Sequence, residues 1–89
     1  MDAQELAEIE SRCLAATKGP WQSFIEGRDH LSGDSFIRTG GMDNDSPDLY
    51  LAGGTLHDQD FIAHARQDIP RLVAEARKLQ AQLRSGGHI

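Results

Sequence analysis

The sequence predicts an α+β domain: an N-terminal helix, a small three-stranded antiparallel sheet and a broken C-terminal helix. Three observations carry this reading. Apolar residues recur at helical spacing at both ends of the chain. Between them lie three short runs with aromatic or β-branched residues, separated by glycine-rich connections. Pro70 falls inside the second helical pattern, and a proline there lacks the N–H that a helix interior needs.

The first helix is expected over residues 2–17. Leu6, Ile9, Cys13 and Ala16 fall on one face. Asp2, Glu5, Glu8 and Glu10 suit the positive end of the helix dipole, and Arg12 and Lys18 the other end. Lys18-Gly19-Pro20 is the stop signal. The strands are expected at 21–26, 35–39 and 48–52. Gly27 to Asp34 forms the first link, and Met42 to Pro47 forms an Asp- and Asn-rich turn. Short links make the sheet an antiparallel meander. Thr55 and Asp58 resemble a helix N-cap. Phe61, Ile62, Ala65 and Ile69 then form an apolar stripe that should be core. Asp68 can cap a second helix with Pro70 in its first turn. Leu72, Val73, Ala76, Leu79 and Leu83 continue an apolar face to about residue 84. A partner helix from a second copy would cover that face better than a small sheet. Residues 1–84 thus read as one domain, and 85–89 as a frayed tail.

Composition narrows the function. A chain of 89 residues with 38% hydrophobic content builds a lean core, which favours a homodimer or higher oligomer. The net charge is −5. Acids dominate residues 26–60, and bases dominate residues 61–84. That pattern disfavours general nucleic-acid binding, which needs a continuous basic footprint, but leaves room for one compact anion or an acidic partner. Cys13 is the one cysteine, which fits a reducing compartment. No apolar run approaches the roughly 20 residues of a membrane span. The acidic N-terminus lacks a signal-peptide pattern. The expected location is the cytoplasm.

Several constellations could carry chemistry. His57, Asp60 and His64 share spacing that could hold zinc, but no second cysteine or structural-zinc pattern supports it. Arg28-Asp29-His30 could be an acid–base group, yet Ser32 and Ser35 lack a nucleophile-elbow context, so catalysis is disfavoured. Gly53-Gly54 precedes a helix start whose N–H groups could take one anion. Phe36 and Arg38 would share a strand face, which mixes an aromatic with a cation. Trp21, Phe24 and Phe36 offer stacking surfaces or core. Arg28, Arg38, Arg66 and Arg71 offer charge-assisted donors to phosphate.

Two segments resemble a known family. Ala16-Thr17-Lys18-Gly19-Pro20-Trp21 resembles an "A-T-P-G-P-W" motif, with Lys18 in place of its proline. Residues 60–70, from Asp60 through Phe61-Ile62-Ala63-His64-Ala65-Arg66 to Pro70, resemble "D-x-F-I-A-x-A-R-x-D-x-P", with Asp60 directly before Phe61 where the motif has one residue between. Together they are similar to the anti-Thoeris sponge family of phage proteins and to Ead-type early phage proteins. The resemblance implies a phage or prophage protein without enzymatic activity or cofactor. Such a protein would oligomerise in the host cytoplasm and sequester a nucleotide immune signal, of the cyclic ADP-ribose or cyclic oligonucleotide type.

The expected ligand set follows from both lines. Arg28, Arg38, Arg66 and Arg71 would hold phosphates, Trp21 or Phe36 would stack on a base, and His30 or His64 would donate hydrogen bonds. The alternative is an acidic protein-binding inhibitor or immunity protein, with Asp29, Asp34, Asp43, Asp45 and Asp48 covering a basic toxin or defence nuclease. A metal-dependent hydrolase built on His57, Asp60 and His64 ranks last.

Overall fold

The computed structural model describes residues 1–31, 33–40 and 47–86. Their element order is α1 (Ala3–Ala15), β1 (Gln22–Phe24), β2 (Phe36–Arg38) and α2 (Leu56–Gly86). The α+β class is as the sequence predicts. The chain divides into a terminal unit, Met1–Ala16 with Asp68–Ile89, and a central unit, Thr17–Gln67.

In the terminal unit, α1 starts on a full capping box. The Asp2 carboxylate accepts from the Glu5 N–H at 2.8 Å, and the Glu5 carboxylate accepts from the Asp2 N–H at 3.4 Å. These bonds satisfy N–H groups that a helix start leaves unpaired. The helix ends at Ala15, with Ala16 already extended, so it stops before the Lys18-Gly19-Pro20 signal. Leu6 and Val73 are the buried apolar residues among those described in this unit. Arg77 pairs with Glu10 at 3.2 Å, and the Gln80 amide donates to the Met1 carbonyl.

In the central unit, β1 and β2 pair antiparallel with Gln22 opposite Arg38, Ser23 opposite Ile37 and Phe24 opposite Phe36. A third strand is not formed among the described residues. The segment expected at 48–52 contributes one bridge, in which Ile37 and Leu49 exchange both backbone hydrogen bonds at 2.8 and 2.9 Å. Of the turn expected from Met42 to Pro47, residues 42–46 lie outside the described residues. Ile37 is fully buried, with Ile25 and Ala63 beside it in the core. Gln59 is buried too. Its amide nitrogen lies 2.8 Å from Ser23 Oγ, 3.2 Å from the Phe24 carbonyl and 3.1 Å from the Phe36 carbonyl. One α2 side chain thus ties both strands down and satisfies backbone acceptors the sheet leaves open.

Two expectations for α2 are corrected. The helix is not broken: it runs for 31 residues with Pro70 inside it. Proline's locked φ is itself helical, so the ring removes one hydrogen bond and crowds the preceding turn while the residues on either side stay helical. Strong helix formers on both sides (Ala63, Ala65, Leu72, Ala74, Ala76) carry the helix through. The stripe Phe61, Ile62 and Ile69 is not core either. All three are exposed, Phe61 at 74%, whereas Gln59, Ala63 and Val73 are the buried α2 residues.

Candidate functional site

Side chains alternate across a strand, so the β1–β2 register sorts this sheet into two faces. Ser23 and Ile37 point toward the core, where Ser23 meets Gln59. Gln22, Phe24, Phe36 and Arg38 take the other face. There the Phe24 and Phe36 rings stack with centroids 5.1 Å apart and planes 16° apart. The Arg38 guanidinium carbon lies 4.9 Å from the Phe24 centroid, within the range of a cation–π contact. Tyr50 and His30 flank Phe36, each with centroids 5.9 Å from it. The result is a row of guanidinium, two phenyl rings and a phenol. Tyr50 is its open end, at 62% exposure.

The sequence-predicted residues fall into three groups. Phe36, Arg38 and His30 are brought together in this row. Arg28, Trp21 and Arg66 are committed to internal bonds. The Arg28 guanidinium grips both Asp60 oxygens at 2.8 and 3.0 Å and the Asp29 carboxylate at 2.8 and 3.0 Å. Its pKa rises further above the usual arginine range, chiefly through Asp60 and then Asp29. Asp60 is lowered to about 2, first by Arg28 and then by Ser23. Asp29 is lowered by Arg28 and by the Ile25 N–H, which donates to it at 2.8 Å. Arg28 therefore closes a turn, in which Gly27 takes φ +84°, onto the first turns of α2. Asp29 is thus engaged by Arg28 and the Ile25 N–H.

Trp21 is held by Gln67, whose Oε1 accepts from its N–H at 2.8 Å and whose Nε2 donates to its carbonyl at 3.2 Å. The Trp21 indole and the Arg66 guanidinium both donate to the Thr17 carbonyl, at 3.1 and 2.9 Å. The third group is His64 and Arg71. His64 is exposed on α2. Arg71 is exposed and belongs to the terminal unit.

The Gly53-Gly54 anion site is already filled by the protein itself. Asp58 accepts from the Thr55 N–H at 2.9 Å, and Thr55 Oγ1 accepts from the Asp58 N–H at 3.1 Å. This reciprocal cap places a carboxylate where an anion would go. A Cβ at Gly54, which has φ +89°, would lie 3.0 Å from the Asp58 Oδ2. An open cleft of about 370 Å³ beside this cap is lined by Ile25, Asp34, Tyr50 and Gln59 among others. Asp34 and the nearby Asp58 make it unfavourable for phosphate. Among the described residues no three His, Cys, Asp or Glu side chains gather as a metal-holding group. No described helix is long and apolar enough to cross a membrane.

Tyr50 and Gln59 are the residues that sequence reasoning missed. The signal for Tyr50 was strand alternation: it follows Leu49, so it faces away from Leu49 and toward the Phe36 side. No sequence signal marked Gln59, since a glutamine early in a helix reads as solvated. No protein-family model, curated protein or solved structure matches this chain.

Proposed function

We propose that the protein is a non-catalytic, self-associating binder that sequesters a phosphate-bearing nucleotide signal, acting as a phage or prophage anti-defence protein. The observation that carries the binding site is the Arg38–Phe24–Phe36–Tyr50 row. A base stacks on the open Tyr50 ring, which is worth roughly 1–3 kcal/mol per base in proteins that use such platforms. Arg38 is the cation on this face, and its planar fork suits phosphate. The motif resemblance at residues 16–21 and 60–70 supports the biological setting. Of the carboxylates the acidic-inhibitor alternative would use, Asp29 is engaged by Arg28.

The test is a thermal-shift panel of cyclic dinucleotides, cyclic trinucleotides and ADP-ribose derivatives, followed by heat denaturation and chromatography of the released compound. A binder raises the melting temperature with at least one compound, which returns unchanged. Arg38→Ala and Tyr50→Ala should each weaken that binding roughly tenfold or more while leaving the unliganded melting temperature near wild type. No shift with any compound overturns the reading. A chemically altered compound replaces it with an enzyme.

A further inference from the structure

The terminal unit leaves several of its large apolar side chains exposed. Leu6 and Val73 are its buried apolar residues among those described, while Ile69, Leu72, Leu79 and Leu83 are exposed at 41%, 66%, 51% and 77%. These four and the half-buried Ala76 follow one another at steps of three, four, three and four. That alternation averages 3.5 residues, the period that keeps a seam facing a partner helix along its length. The neighbouring face of the same helix is already covered: Val73 is buried, Arg77 is paired to Glu10 and Gln80 is bonded to Met1. The expected single apolar face is therefore two faces, one buried within the chain and one open.

We propose that the open seam, Ile69-Leu72-Ala76-Leu79-Leu83, is occupied by the same seam of a second copy, running antiparallel. Shape selects this occupant and its direction. In an antiparallel pair the small Ala76 sits opposite Leu79 of the second copy, and Leu79 opposite the second copy's Ala76, so large meets small about the twofold axis. Leu72 then faces Leu83 of the second copy, and Leu83 the second copy's Leu72, in the outer layers. A parallel pair would instead set Ala76 against Ala76 and leave a gap. Antiparallel pairing also opposes the helix dipoles favourably. This deepens the self-association in the reading above and is independent of the ligand.

Sedimentation equilibrium of the intact protein tests it. Wild type should sediment at twice the mass of one chain, and Leu79→Lys at the mass of one chain with its helical circular dichroism retained. Leu31→Lys, at a position 98% exposed in the central unit, should remain dimeric. Orientation is read in a Cys13→Ser background. An oxidised mixture of Ala76→Cys and Leu79→Cys proteins should give the mixed disulfide, and Ala76→Cys alone should give little. Should Leu79→Lys not fold, the cysteine arm decides alone. Efficient self-linking of Ala76→Cys overturns the antiparallel seam. A dimer that survives Leu79→Lys places self-association on another surface. A monomeric wild type overturns both the seam and the self-association, while nucleotide binding is still measured at the sheet face.

Discussion

Gln59 and Arg28 do similar work by different chemistry. Each is a single α2-facing or α2-borne side chain that satisfies groups on the sheet or its turn. Gln59 is buried, so its removal is felt through the acceptors it leaves behind. Gln59→Leu keeps the bulk and strands the Phe24 and Phe36 carbonyls. Each buried unsatisfied acceptor costs about 1–3 kcal/mol. Urea unfolding followed by Trp21 fluorescence should therefore show a loss of about 2 kcal/mol or more. A near-neutral result would show that these carbonyls reach water. Arg28 acts at the surface, so its signature is pH dependence. Asp60 falls from its ordinary 3.8 to about 2 in the folded protein. A group with a depressed folded pKa adds stability above its unfolded value, and that stability is lost as pH falls through the folded one. The Arg28–Asp60 contribution should thus be constant from neutral pH down to about 5 and disappear between roughly 4 and 2. Asp60→Asn should lower neutral-pH stability and flatten the acid limb of the stability curve. An unchanged acid limb would remove Asp60 from the account.

Among the elements, what was legible in the sequence depended on whether local chemistry or long-range packing decided the outcome. The α1 start was legible because Asp2 and Glu5 are three residues apart and bond to each other's backbone. The Thr55–Asp58 cap was legible for the same reason, though its consequence for anion binding was not, because Asp58 itself fills the site. The shared face of Phe36 and Arg38 followed from strand alternation alone, whereas the contribution of Tyr50 needed the Ile37–Leu49 bridge. In α2, apolar periodicity misled. Phe61, Ile62 and Ile69 make the strongest stripe, yet the chain buries Gln59, Ala63 and Val73. The Gln59 amide bonds the backbone of both strands, a reason for burial that hydrophobicity does not register. The commitments of Arg28, Arg66 and Trp21 were illegible because their partners lie between 4 and 49 residues away or in a turn whose closure the sequence does not state.

At the scale of the whole molecule, the two units differ in how they are held. The central unit has a buried core in Ile25, Ile37 and Ala63, with Gln59 and Thr39 satisfied inside it. The terminal unit rests on Leu6 and Val73 and, in the arrangement proposed here, on a second copy. A unit stabilised by association melts at a temperature that depends on concentration, and a unit with its own core does not. Trp21 is the one tryptophan and belongs to the central unit, so its fluorescence reports on that unit. Helical circular dichroism reports largely on α1 and α2. Dilution over two orders of magnitude should therefore lower the circular-dichroism midpoint by a few degrees per decade and leave the fluorescence midpoint in place. In Leu79→Lys the dichroism midpoint should sit at the dilute-limit value at every concentration, because the association that raises it is gone. Coincident midpoints that ignore concentration would mean that the terminal unit is held within one chain, and the exposed Leu72, Leu79 and Leu83 would then need another explanation.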